Sequence, residues 1–242
     1  MPTLTTHIAV AEKVCTKLKL KDKDLTVLGA AIVDWSNNFE NKKHTITHFQ
    51  NPKSEGSENL ESLPDVDQFV KKYQNQLDDP IVKGYWIHLL TDFYFNRYIY
   101  ENIYLYDVHG NVVGVRLANH KVKLCSPEDA INLKHQDFYE FDNYLRIKKE
   151  VHPLKYEGLF DRVKKMEEVL MNQKTYEKDA KSYNDSLVFF KDRGIHMTFY
   201  QPDLELFHKY NLIKLLNQCV DYITSVIEKW SICLFFGIML MW

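Results

Sequence analysis

The stretch "PIVKGYWIHLLTDFYFNRYIYENIYLY", from Pro80 to Tyr106, constrains this chain more than any other. Its apolar and aromatic residues recur over a length that fits a central helix against which the remaining segments pack. Inside it, "GYWIHLLTDFYF" places His88 and Asp92 four residues apart. On a helix that spacing stacks both on one face with Cβ atoms about 5–6 Å apart, so the two can bind each other or share one ion. A buried polar pair with nothing to satisfy it costs free energy, which makes the pair the first place to look for chemistry.

The flanking sequence also reads as helical. "THIAVAEKVCTKL" carries Ile8, Val10, Ala11, Val14 and Leu18 near the helical period, and "LTVLGAAIVDW" is a short apolar run that ends in Asp34 and Trp35. Residues 51–67, "NPKSEGSENLESLPDVD", have the Pro, Gly, Ser and acidic content of an exposed connection, whose last part opens "VDQFVKKYQNQL" as a helix. "YDVHGNVVGVRLANHKVKL" alternates around His109-Gly110-Asn111 and again around Asn119-His120, so a small β-hairpin insertion is expected at about residues 104–125. Beyond it, "SPEDAINL" starts with a Ser cap followed by Pro, "GLFDRVKKMEEVLMN" is amphipathic, and "DLELFHKYNLIKLLNQCVDYITSVIEKW" is long and periodic. The expected fold is all-α: one multi-helix bundle over residues 1–242, with the hairpin as its insertion.

Charge and cysteines narrow the function classes. With Lys plus Arg at 31 and Asp plus Glu at 33, the net charge of -2 argues against nucleic acid as a partner, since phosphate contacts demand a basic surface. Cys15, Cys125, Cys219 and Cys233 are far apart and form no CxxC, so neither a disulfide framework nor a thiolate zinc site is expected. "MPTLTTHIAVAEKV" lacks the basic and apolar regions of a secretory signal, which points to a cytoplasmic chain. The apolar tail "WSICLFFGIMLMW", residues 230–242, would rise only about 20 Å as a helix, short of a transmembrane span. It reads as a core helix or an oligomer contact, with an interfacial membrane anchor or a tail altered by a reading-frame change as the alternatives.

Polar ligand types in apolar company occur at His7 in "THIAVA", at Asp34 in "GAAIVDW", at His44 and His48 in "KHTITHF", and at His88 and Asp92. Two His with two Asp make a nitrogen and oxygen site suited to zinc or another first-row divalent ion. Each residue alone has a plainer alternative. His88 and Asp92 can be a hydrogen-bonded core pair, Asp34 a helix cap, and His48 a half-exposed loop residue.

Taken in order, "PTLTTHIAVAEKV", "LGAAIVDW" with "HTITHF", and "GYWIHLLTDFYFN" resemble the zinc-dependent phospholipase C family, to which the single-strand-specific zinc nucleases are related in fold. The resemblance covers residues 2 to 98. It implies an all-helical bundle holding up to three metals in a cleft and hydrolysing phosphoester bonds. Carried onto this chain, it implies that Asp34, His48, His88 and Asp92 hold one zinc, and that Asp92 bridges to a second ion also held by His7. In that family the free N-terminal residue adds ligands to the second ion, and Met1-Pro2 departs from this. The third ion's ligands have no clean counterpart here: Asn96 follows Asp92, and "KHQDFYEFDNYL" offers His135 and Asp142 seven apart.

The resemblance thus implies one or two zinc ions, a small phosphoester or phospholipid-like substrate, and Asp34 as the carboxylate that orients or deprotonates the attacking water. Thr6, Thr47 and Thr91, each beside a ligand, are the candidates to orient the imidazoles. Two other readings share the helical core. One is a catalytically degenerate protein that keeps the metal-binding scaffold as an interaction module. The other, an HD-type phosphohydrolase, is weakened because no adjacent His-Asp dyad is present.

Overall fold

A computed structural model describes residues 2–37, 44–50, 63–169, 171–192 and 202–236. The chain is mostly helical, with one small antiparallel sheet. In the first half, α1 (Leu4–Lys17), α2 (Lys23–Asn37), the single turn α3 (His44–Thr47) and α4 (Val66–Tyr73) surround α5 (Pro80–Asn102). Along α5, Ile81, Val82, Tyr85, Trp86, Ile87, Leu89, Leu90, Phe95 and Ile99 are all buried, as the sequence pattern requires. Its start is set locally: Pro80 occupies the first turn and the Asp79 carboxylate accepts from the Ile81 and Val82 amides at 2.8 and 3.4 Å.

The closest helix contact is between α2 and α5, where two glycines remove the side chains that would hold the backbones apart. A Cβ on Gly84 would lie 1.9 Å from the Thr26 carbonyl oxygen, and one on Gly29 would lie 2.2 Å from that of Ile81. Four and five residues beyond these glycines stand His88 and Asp34, so this crossing sets how near the two can come.

The expected hairpin is a three-stranded meander, β1 (Tyr104–Tyr106), β2 (Val112–Arg116) and β3 (Val122–Leu124), in the order β1-β2-β3. Its two turns fall where the sequence marks them. Gly110 and His120 take positive φ angles of 84° and 66°, and the Asp107 carboxylate accepts from the His109 and Asn111 amides at 2.8 and 2.9 Å.

The second half comprises α6 (Pro127–Ile147), α7 (Phe160–Val163), α8 (Gln173–Asp192) and α9 (Lys209–Phe236). Ser126 caps α6 by accepting from the Asp129 amide at 3.1 Å. Two helices differ from expectation. "GLFDRVKKMEEVLMN" forms only the one-turn α7, which no side chain caps. Downstream, Glu167 and Glu168 pair with Lys72 of α4, both at 2.5 Å, and Glu168 also accepts from the Tyr73 hydroxyl. These tertiary contacts hold the segment in turns. The last helix likewise starts at Lys209 and not at Asp203, because the amides of Glu205, Leu206 and Phe207 donate to the buried Asp137 carboxylate of α6 at 2.9, 2.8 and 3.0 Å.

Removing Asp137 strands three amides that a charged acceptor satisfied. Asp137→Ala is therefore expected to lower stability by about 3 kcal/mol or more in denaturant unfolding, with Asp137→Asn recovering part of the loss. Equal stability of wild type and Asp137→Ala would refute this role.

At the C-terminal end, Trp230 meets Trp86 of α5 edge to face with ring centroids 6.2 Å apart, so α9 reaches the core at the start of the apolar tail. Residues 237–242 of that tail lie outside the described residues. Among the described residues no helix is long and apolar enough to cross a membrane.

Candidate metal centre

Residues distant in sequence meet on the inner face of α5. His7, His48, His88 and Asp92 are fully buried, while Asp34 keeps 21% of its side chain exposed. Three ligand atoms form a nearly equilateral triangle: His88 Nε2 lies 3.1 Å from His48 Nε2 and 3.3 Å from Asp92 Oδ2, and His48 Nε2 lies 3.2 Å from Asp92 Oδ2. The Asp34 carboxylate stands off at 3.9 Å from His88 Nε2. On the other side, His7 Nε2 approaches Asp92 Oδ1 at 3.3 Å, and its ring stacks on that of His88 with centroids 3.7 Å apart.

The His48–His88 approach is a hydrogen bond between the two imidazoles, but the approaches to Asp92 are not. Neither oxygen of Asp92 and neither ring nitrogen of His7 has a hydrogen-bond partner of acceptable geometry. The tautomer of His88 sharpens the point: its Nδ1–H donates to the Ala30 carbonyl at 2.8 Å, since a carbonyl only accepts. A neutral His88 therefore aims a bare Nε2 lone pair into the cluster. A tetrahedral zinc with ligands at about 2.0–2.1 Å holds its ligand atoms roughly 3.3 Å apart, and the observed edges of 3.1, 3.2 and 3.3 Å match one face of that tetrahedron. Converging lone pairs at this spacing fit a cation. Among the described residues, two groups could hold an ion: His7 with His88 and Asp92, and Asp34 with His48 and His88.

Each ligand is aimed by its own local structure. His48 follows α3, where Tyr85 of α5 donates its hydroxyl to the Thr47 carbonyl and the Thr47 hydroxyl meets His48 Nδ1 at 2.9 Å. The next residue, Phe49, takes a positive φ of 50°, which is strained for a bulky side chain. Its ring is locked against Phe69 at 5.3 Å and Tyr85 at 6.1 Å, so aromatic packing holds the turn that points His48 inward.

His7 lies in the first turns of α1, whose own cap residue Thr3 makes no capping bond. Asp142 of α6 supplies it instead, accepting from the Thr5 amide at 3.3 Å and the Thr6 hydroxyl at 3.0 Å. Asp142 thus holds the helix carrying His7 and does not reach the cluster as a ligand. The half-buried His135 belongs to neither candidate group. His44 begins α3, and its side chain lies outside the described residues. Asn96, one turn beyond Asp92, is fully buried with both polar atoms unpartnered.

Of the three threonines named as ring-orienting candidates, only Thr47 contacts a ligand ring; Thr6 serves Asp142, and Thr91 donates to the Ile87 carbonyl of its own helix at 2.7 Å. The Ala30 carbonyl and the Tyr85 hydroxyl went unrecognised. A backbone acceptor leaves no mark on residue type, and Tyr85 is one aromatic among many in α5.

The electrostatics follow from the burial. Complete burial works against a charged His88, but the Asp34 and Asp92 carboxylates and the Ala30 carbonyl outweigh it and raise its pKa. Burial likewise disfavours ionised Asp92, yet the imidazoles of His7, His88 and His48 hold it well below the usual carboxylate range. In metal-free protein the raised His88 adds stability that is complete below about pH 6.5 and lost as pH climbs through its folded value. The lowered Asp92 adds stability present above about pH 4 and lost only in stronger acid.

Metal-free protein is therefore expected to melt highest between about pH 4 and about pH 6.5 and progressively lower above that. Zinc requires bare imidazole nitrogens, so the stabilisation it adds grows with pH over the same range. Thermal scans with chelator and with zinc, across about pH 5 to about pH 8.5, check both signs. A chelated protein whose stability rises with pH would overturn the assignment.

Set against family models, curated proteins and solved structures, the chain matches none.

Proposed function

We propose that the chain is a metal-dependent phosphoester hydrolase of the zinc-dependent phospholipase C kind, acting on a small phosphoester or phospholipid-like substrate. The observation that carries this reading is the convergence of His48, His88 and Asp92 ligand atoms at 3.1–3.3 Å around a buried carboxylate neither of whose oxygens has a hydrogen-bond partner. His48, His88, Asp92 and Asp34 would hold zinc at a first seat; Asp92, turning its second oxygen to His7, would share a further ion at a second. A divalent ion there supplies Lewis acidity towards water and towards a phosphoryl oxygen.

The chain's residues supply the rest. The Ala30 carbonyl fixes His88 so that its Nε2 presents a lone pair, and the Thr47 hydroxyl at His48 Nδ1 holds the His48 ring in place. Asp34 alone among the proposed ligands retains solvent exposure, so water and substrate enter on its side. Its carboxylate, set back at 3.9 Å from His88, is placed to orient a water and take its proton as general base. Burial of the other four ligands keeps bulk water from the interior side of the reaction.

The test is hydrolysis of bis(p-nitrophenyl) phosphate with zinc, manganese or cobalt added to chelator-stripped protein. Wild type is expected to turn over the substrate, and Asp34→Asn to lose about 100-fold or more in kcat while keeping most of its metal. A second reading, an ion held for structure on a catalytically degenerate scaffold, draws on the complete burial of His7, His48, His88 and Asp92. Tight metal binding with no turnover under any of the three ions would select it.

A further inference from the structure

Asn96 is the buried carboxamide that the ligand set above leaves unexplained. It is fully buried, and neither its Oδ1 nor its Nδ2 has a partner; among the described residues no other carboxamide is left so. An amide taken from water without replacement bonds costs about 1–3 kcal/mol for each unmade bond, so a residue that is merely structural would be expected to be apolar here. Asn96 follows Asp92 by four residues and His88 by eight, which continues the α5 face that carries the cluster. Within the cluster, both nitrogens of His7 and both oxygens of Asp92 are likewise unpartnered, with Asp92 Oδ1 turned towards His7 at 3.3 Å.

We propose that Asn96 Oδ1 is a ligand of the second seat, together with His7 and Asp92 Oδ1, and that this oxygen-rich set selects a harder ion than the first seat. One imidazole with a carboxylate and a carboxamide oxygen suits Mn2+ better than zinc, whereas the paired imidazoles of His48 and His88 suit zinc. With Oδ1 on the cation, Nδ2 is left as a donor for an anionic oxygen drawn to the same ion. The centre is then mixed, zinc at the Asp34 side and manganese at the His7 side. This rests on the metal-centre reading above.

The experiment strips the full chain of metal and titrates it with Zn2+ and then Mn2+, reading metal content by plasma mass spectrometry and Mn2+ binding by electron paramagnetic resonance. Wild type, Asn96→Leu, Asn96→Asp and His48→Ala are compared. Wild type is expected to take up both ions. Asn96→Leu keeps zinc and loses at least about tenfold in Mn2+ affinity, Asn96→Asp retains Mn2+, and His48→Ala loses zinc. Metal-free Asn96→Leu melts above metal-free wild type, because the substitution removes an amide without bonds and keeps its branched outline.

Unchanged Mn2+ binding in Asn96→Leu overturns the proposal and leaves the first seat standing. A lower melting temperature of metal-free Asn96→Leu does the same, since it would show the carboxamide bonded within the fold. Wild type that binds neither ion overturns the metal-centre reading and this inference together.

Discussion

His88→Ala protein is expected to retain no tightly bound zinc, where wild type retains it. His88 is the first-seat ligand on which the His7 ring of the second seat stacks, so its loss removes a zinc ligand and loosens the second seat. A structural zinc site is worth about 10–16 kcal/mol of binding free energy at neutral pH; shared over four ligands, one imidazole accounts for several kcal/mol, a loss of three or more orders of magnitude in affinity. The variant also loses the Nδ1–H donor to Ala30 and the ring on which His7 stacks, so some loss of metal-free stability accompanies it.

Chelation separates the two effects. Chelator should lower the melting temperature of wild type and leave that of His88→Ala unmoved, whereas a purely structural His88 gives no chelator effect in either protein. Asp92→Ala should behave as His88→Ala does, because Asp92 faces His7 with one oxygen and His48 and His88 with the other.

The second large effect is expected from a single methyl group. Gly84→Ala places a Cβ 1.9 Å from the Thr26 carbonyl oxygen and 2.8 Å from the Ala30 amide nitrogen, both backbone atoms that cannot rotate away. α2 and α5 must then separate. Overpacking a well-packed interior costs about 1–3 kcal/mol and occasionally more, and a backbone-to-backbone clash belongs at the upper end. Separation also draws Ala30 from His88 Nδ1 and Asp34 from His88 Nε2, now 2.8 and 3.9 Å apart. Gly84→Ala is thus expected to lose about 3 kcal/mol or more of stability and to bind zinc weakly even where still folded. Gly110→Ala, at a turn with open space around it, is the control that should leave zinc binding intact. Wild-type stability and metal content in Gly84→Ala would show that the helices do not depend on this contact.

Much of the helical scaffold is legible because its causes are local. The apolar period of α1 and α5, Ser126 with Pro127 at the head of α6, and the turn residues around Gly110 and His120 each act within a few residues of themselves. α7 and the start of α9 depart from the local pattern because a distant group overrides it. Lys72 and Tyr73 hold Glu167 and Glu168, and Asp137 takes three amides that a longer α9 would have used. Asp142 resembles a ligand by residue type and a cap only by position. Its partners Thr5 and Thr6 are more than 130 residues away in the chain.

The candidate centre divides along the same line. By itself the sequence determined which groups are available: imidazoles and carboxylates at His7, Asp34, His48, His88 and Asp92, set in segments too apolar to be exposed, because residue type and periodicity are carried by each segment alone. The tertiary structure decided that these groups meet, with edges of 3.1–3.3 Å. It also decided that Ala30 fixes one ring and Thr47 another, and that Asp34 alone reaches solvent. Such distances depend on how closely α2 approaches α5 at Gly29 and Gly84 and on a strained turn at Phe49 held by rings from α4 and α5. Packing between segments sets them, and no single segment carries that information.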